Sequence, residues 1–140
     1  MRLTKNIGTA PQKGTHRRKP AGEAGLQKLY QKYIKRASER GNLFELTKSE
    51  FKVLTNGSCY YCNAPPSKIV TTTCANATDD GKKHAEYKYN GVDRIDNAKG
   101  YSLNNCRTAC SQCNRAKSDF SAEEFKQWID KVYNNWSQNV

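Results

Sequence analysis

The sequence predicts a small α+β domain of 140 residues, and three observations carry that prediction. Apolar residues recur at helical spacing in one segment near the N-terminus and in another at the C-terminus. Between them, "YKYNGVDRI" reads as a strand or hairpin and "CRTAC" as a short second strand. Two Cys-x-x-Cys pairs enclose those strands in sequence. The length suits one domain. With only 36% hydrophobic residues the core is expected to be modest and to need further support.

Residues 1–22, rich in Gly, Pro, Lys and Arg without an apolar period, read as a mobile basic arm. A helix is predicted over 23–40, where Leu26, Leu29, Tyr30, Tyr33, Ile34 and Ala37 form one stripe. Gly41 is placed to stop it, because glycine accepts the left-handed conformation common at helix ends. "LTKSEFKVL" holds a capping box, Thr47 with Glu50, opening a short helix that ends near Asn56-Gly57. Residues 67–86 are polar and irregular and read as a long loop. A helix starts at Ser111 with "SQCNRAK", and Ser121 with Glu124 caps a last one. On that last helix Phe125, Trp128, Ile129, Val132, Tyr133 and Trp136 repeat at helical spacing. They are expected as core anchors rather than as platforms for bases. No internal repeat is visible.

Charge is unevenly spread. The chain holds 24 basic and 13 acidic residues, a formal +11; residues 1–40 contribute eleven Lys or Arg against two Glu. A cationic arm ahead of a nearly neutral domain suits a polyanion, nucleic acid before membrane. A solvated tail that aids solubility is the plainer alternative. Arg17, Arg18 and Lys19 in the arm are candidate phosphate contacts. Lys28, Lys32, Lys35 and Arg36 on the first helix are candidates too, although an ordinary helix surface explains that flank equally well. No run of about 18 apolar residues and no secretory signal is present. An intracellular, cytoplasmic setting without membrane is therefore expected, and in such a reducing setting cysteine pairs usually hold metal.

Cys59-Tyr-Tyr-Cys62 and Cys110-Ser-Gln-Cys113 are two knuckles of that kind. Two intervening residues let both thiolates of a knuckle turn toward one ion, and two knuckles supply the four soft ligands of a tetrahedral Zn²⁺ site. Four protein ligands leave no position for water, so the zinc is expected to be structural. The gap from Cys62 to Cys110 far exceeds the roughly 15–20 residues of a zinc ribbon, so the chain between must fold back. Disulfides are the alternative. Cys106 reads as a small core side chain, and Cys74 has no assigned role.

The segment between the knuckles and just beyond, "VDRI" at 92–95, Asn105 and "CSQCNRAK" at 110–117, resembles the HNH endonucleases, also called His-Me finger or ββα-metal nucleases. The likeness covers about 59–117, and the final helix continues in the manner of phage-type members. It implies a ββα-metal core over 58–120, preceded by the arm at 1–22 and a helical region at 23–57, and followed by a C-terminal helix at 121–140. Asp93 and Asn114 match the family's divalent-metal ligands, for Mg²⁺ or Mn²⁺, and Asn105 the residue that braces the loop between the strands. The residue types agree with this: one carboxylate and one amide oxygen suit a hard cation that keeps waters and takes a phosphate oxygen. Lys117, three residues beyond Asn114 on nearly the same helical face, is expected to touch a phosphate.

Arg94 departs from the pattern. The family places a histidine there as the general base, and arginine, with a pKa above about 12 and no available lone pair, cannot take a proton from water. Three arrangements remain. Arg94 clamps the scissile phosphate while the metal or a carboxylate such as Asp96 activates the water; His84 substitutes from the loop; or hydrolysis is lost. His16, the second histidine, lies in the arm. The resemblance thus implies a metal-dependent DNA endonuclease of a phage or mobile element, nicking or cutting both strands. The alternative is a non-catalytic, zinc-stabilised DNA-binding module of the same fold.

Overall fold

The computed structural model describes residues 17–71 and 76–139. His16 and Cys74 lie outside them, as does nearly all of the predicted arm. In chain order come α1 (Glu23–Glu39), α2 (Lys48–Asn56), β1 (Lys68–Val70), α3 (Asp79–Ala85), β2 (Tyr87–Tyr89), β3 (Gly91–Arg94), a 3₁₀ turn (Leu103–Asn105), β4 (Cys106–Ala109), α4 (Ser111–Lys117) and α5 (Ala122–Ser137). Two antiparallel pairs form the sheet structure, β1 with β2 and β3 with β4. "YKYNGVDRI" is therefore no hairpin: Asn90 separates strands that belong to different sheets.

Local chemistry explains most helix ends. Thr47 and Glu50 form a reciprocal capping box at α2, and Ser121 and Glu124 form another at α5. After α1, Gly41 takes φ 68°, the left-handed turn that glycine tolerates best. The stretch read as a loop over 67–86 contains β1 and α3. Only Ala85 of α3 is buried, so the helix carries too little apolar pattern to be read from sequence. Thr78 caps its first turn by accepting from the Gly81 N–H.

One core joins α1 and α2 to both strand pairs. Leu26, Leu29, Phe51, Tyr87, Val92 and Cys106 are buried together, with Tyr30, Tyr33 and Phe44 packed against them. The aromatic rings meet edge-on or tilted, Tyr33 with Phe51 at 5.0 Å and Tyr30 with Phe51 at 5.3 Å between centroids, the arrangement ring quadrupoles favour. Gly25 permits the closest approach of α1 to the first strand pair. A Cβ there would stand 2.4 Å from the Ala85 carbonyl oxygen and 2.7 Å from that of Val70.

The C-terminal helix corrects an expectation. Phe125 is buried, but Trp128 is 46%, Tyr133 70% and Trp136 72% exposed, and Ile129 is also exposed. The apolar stripe of α5 exists, yet among the described residues it meets the rest of the chain chiefly through its first turn, with Tyr61 and Phe125 in an edge-on contact.

Candidate active site on the second strand pair

The site is built on β3, β4 and α4. Register places Asp93 opposite Arg107 and Arg94 opposite Cys106, and alternate strand residues point to opposite faces. The loop between the strands is fixed by Asn105, which is buried. Its Oδ1 accepts from the Asp96 N–H at 3.0 Å, and its Nδ2 donates to the carbonyls of Asp96 and Gly100 at 3.0 and 2.9 Å. One amide thus closes the loop at both ends and aligns the strands that carry Asp93 and Arg94.

The four cysteines converge at the base of this unit. Cys59, Cys62, Cys110 and Cys113 place their sulfurs within 4.8 Å of one another, and among the described residues no other group of three or more His, Cys, Asp or Glu does so. Cys62 Sγ stands 3.7 Å from Cys110 Sγ. A disulfide needs about 2.0 Å, whereas thiolates bound at about 2.3 Å to a tetrahedral ion stand about 3.8 Å apart. The donor set and its spacing therefore fit a thiolate-bound metal. Burial alone would raise the Cys59 thiol, but N–H groups of Cys110, Cys62 and Tyr61 pull it down to about 7, toward the form that binds metal. Cys110 also caps α4, its sulfur accepting from the Cys113 N–H. A further brace comes from Asn90, buried at 2%, whose amide donates to the carbonyls of Gly57 and Ala64 on either side of the first knuckle.

Asp93 lies on the closed face of β3, 4% exposed. The Tyr61 hydroxyl donates to its Oδ2 at 2.6 Å. Lys117 Nζ stands 3.3 Å from its Oδ1 and donates to the Arg94 carbonyl at 3.1 Å. Lys117 is itself fully buried. The expected phosphate contact at Lys117 is thereby corrected: α4 packs on β3, so its last turn points inward, and the ammonium is spent neutralising Asp93. Tyr61 was not singled out by the sequence, where a tyrosine inside a cysteine knuckle carries no pattern. Burial and its contact with Asp93 raise its pKa above the ordinary tyrosine value, so it stands here as a proton donor.

Arg94 occupies the open face, and Asn114 reaches it from the α4 side of β3, its amide nitrogen 3.8 Å from where a Cβ of Gly91, two residues before Asp93, would stand. With Val92, Tyr101, Arg40 and Arg115 they line a cleft of about 310 Å³. Arg94 is held by its own loop, Nη1 donating to the carbonyls of Asn97 and Lys99 at 3.1 and 2.9 Å, with its guanidinium 5.2 Å from the Tyr101 ring centre. Asp93 and Asn114 share the β3–α4 unit but make no direct hydrogen bond. As donors they fit a hard cation sparsely, one carboxylate and one amide, in the manner of ions that complete their shell with water and substrate phosphate. Such an ion would share Asp93 with Lys117.

The alternative bases lie elsewhere or are occupied. His84, on α3, has its Nε2 against the Lys19 carbonyl at 2.9 Å, and its own carbonyl accepts from the Gly22 N–H. Asp96 accepts from the Ala98 N–H and pairs with Lys99. These contacts, the Ala98 N–H first, hold its carboxyl below the usual range, which weakens it as a base. Of the predicted phosphate contacts, Arg18 pairs with Asp80, Lys35 with Glu39, and Lys28 reaches the Thr71 carbonyl. Exposed pairs of this kind contribute little stability and exchange readily. Arg17, Lys19, Lys32 and Arg36 are exposed.

The braced strand pair, the helix behind it and the cysteine tetrad define an HNH-like fold within an α+β domain. No family model matches the chain. Among solved structures it is similar to the rare-cutting HNH restriction endonuclease PacI, described as perturbing DNA by an extraordinary mechanism. That likeness has a TM-score of 0.50 and 27% identity and covers 81% of this chain and 80% of that one. Among curated proteins it is similar to uncharacterized protein R423 of Acanthamoeba polyphaga mimivirus, 34% identical over 125 residues. The match takes in 83% of this chain but 20% of R423, so the chain spans about a fifth of that relative.

Proposed function

We propose that this protein is a divalent-metal-dependent DNA endonuclease that hydrolyses phosphodiester bonds. The observation that carries the reading is the β3–α4 unit, where Asp93, Arg94 and Asn114 are held by an Asn105-braced loop beside a four-cysteine site, in a fold similar to that of an HNH restriction endonuclease. Zinc is the ion assigned to the tetrad, in a purely structural role. Mg²⁺ or Mn²⁺ is assigned to Asp93 and Asn114; when bound, it supplies positive charge to the reacting phosphate and the departing oxygen.

The chain's own residues do the rest. Arg94, fixed by two loop carbonyls and a tyrosine ring, presents its remaining N–H groups to the cleft, where they hold a phosphate oxygen without the cost of ordering a free side chain. Lys117 pairs with the Asp93 carboxylate and orients it in a site too buried for an unpaired charge. Tyr61 fixes the other Asp93 oxygen. Among the described residues no histidine reaches this site, so proton removal from the attacking water is not assigned to an imidazole.

A second reading has its own support. Lys117 already neutralises Asp93 and an arginine stands where the family's base belongs, which suits a DNA-binding module without turnover. Zinc-loaded protein incubated with supercoiled plasmid separates the two. Nicked circles appearing only with Mg²⁺ or Mn²⁺ are expected; DNA binding with no nicks under any divalent ion favours the module.

A further inference from the structure

We propose that Arg40 and Arg115, together with Arg94, form a phosphodiester-binding cleft that seats the DNA backbone beside Asn114. The substrate class rests on the endonuclease reading; the cationic cleft rests on geometry alone. Its three guanidinium-bearing residues come from distant parts of the chain, Arg40 from the end of α1, Arg94 from β3 and Arg115 from α4. The fold therefore gathers like charges that repel unless an anion joins them. Asp119 is the one carboxylate on the lining, which leaves a surplus of two positive charges. Among the described residues, no acidic side chain lies within ion-pair distance of Arg40, Arg94 or Arg115.

Guanidinium groups are suited to this ligand. Their planar forks match two phosphate oxygens at once, and they give up hydration more easily than an ammonium. Arg94 is already oriented by Asn97, Lys99 and Tyr101. A polymer is favoured over a free phosphate because the charge continues beyond the cleft. Lys32, Arg36 and Arg40 succeed one another at four-residue spacing, one row along α1. That row leads from the outer surface into the cleft, the path a strand would follow on its way to Asn114. On this reading the row of Lys32, Arg36 and Arg40 meets phosphate, while Lys28, which reaches the Thr71 carbonyl, and Lys35, paired with Glu39, are ordinary helix surface.

The test is binding of the zinc-loaded full chain to a labelled 20-base-pair duplex, without Mg²⁺ or Mn²⁺, across a salt series. Arg40→Ala and Arg115→Ala are each expected to weaken binding about tenfold and to lower the slope of log affinity against log salt by about 1. Arg40→Lys should restore the slope while leaving part of the affinity loss, since the fork is gone. Lys83→Ala, an exposed charge on α3, is the control. If the two arginine variants match Lys83→Ala, the cleft does not hold backbone. If inorganic phosphate binds the wild type more tightly than Arg40→Ala while the duplex binds the two proteins equally at the same ionic strength, the cleft is a small-anion site and the proposal fails. Because no cleavage is measured, absence of nicking leaves this inference standing, and unchanged slopes leave the endonuclease reading standing.

Discussion

The two faces of β3 differ in what they have already satisfied. On one, Asp93 is closed in by the Tyr61 hydroxyl and the Lys117 ammonium, and Arg107 opposite it lies over the rings of Tyr60 and Tyr61 with its buried Nε unpartnered among the described residues. On the other, Arg94 looks onto a cleft with Asn114, Arg40 and Arg115, where positive charge is in excess. The closed face is a scaffold whose parts depend on one another; the open face has donors waiting for a ligand. Alternation along a single strand separates them by one residue. Substitutions on the closed side should therefore act on folding, Asp93 acting on turnover as well through the proposed metal, and those on the open side on binding and turnover.

The sharpest break on the closed side is Cys59→Ser or Cys113→Ser. Structural zinc contributes about 10–16 kcal/mol of apparent binding energy in small domains, comparable to or above the whole stability of a domain, about 5–15 kcal/mol. Each variant, and the wild type stripped by a strong chelator, should lose cooperative melting by circular dichroism, and elemental analysis should find about one zinc per wild-type chain. Cooperative melting that survives zinc loss would show that the tetrad is not what closes this face.

Next in size is the buried ion pair. Lys117→Met should cost about 3–5 kcal/mol in denaturant unfolding, because it strands the Asp93 carboxylate without a counter-charge. Adding Asp93→Asn to that variant should recover most of the loss. Additive losses instead would mean the two side chains are not coupled. Asn105→Ala follows, at about 2–3 kcal/mol, since it leaves buried loop groups without partners; a smaller shift in the unfolding midpoint would assign the loop's order to Arg94 rather than to Asn105. The smallest effect is expected outside both faces. Trp136→Ser on α5, 72% exposed, should change stability by no more than about 0.5 kcal/mol, and a larger loss by calorimetry would mean that the end of α5 packs on the chain after all.

What could be read in the sequence was what short-range chemistry decides. The capping boxes of Thr47 and Ser121 and the stop at Gly41 each depend on neighbours a few residues away. The cysteine tetrad was readable because its two spacings are themselves a coordination geometry. The fates of Lys117 and Trp136 were not, because both depend on what packs opposite. A lysine at the end of a short helix looks solvated until a buried carboxylate is found facing it. The apolar period of α5 shows that a face exists but not that anything covers it, and the same kind of period in α1 led correctly to the core. Helix α3 escaped notice for a simpler reason, a single buried side chain in seven residues. Asn90 and Tyr61, which tie the first knuckle to the strands, sit in no pattern that a sequence alone displays.

The most direct test of the proposed chemistry is the nicking rate of Asn114→Ala on supercoiled plasmid with Mg²⁺ or Mn²⁺. Asn114 is half-buried and its side chain makes no hydrogen bond within the described residues, so the variant should melt with the wild type and bind uncleaved duplex nearly as well. Nicking by the wild type that falls at least a hundredfold in Asn114→Ala is the expected result, on the order of the 2.7–4 kcal/mol lost when an electrostatic contact to a transition state is removed. Equal nicking by the two proteins, or none by the wild type with either metal, would contradict the assignment of β3 and α4 as the active site of an endonuclease.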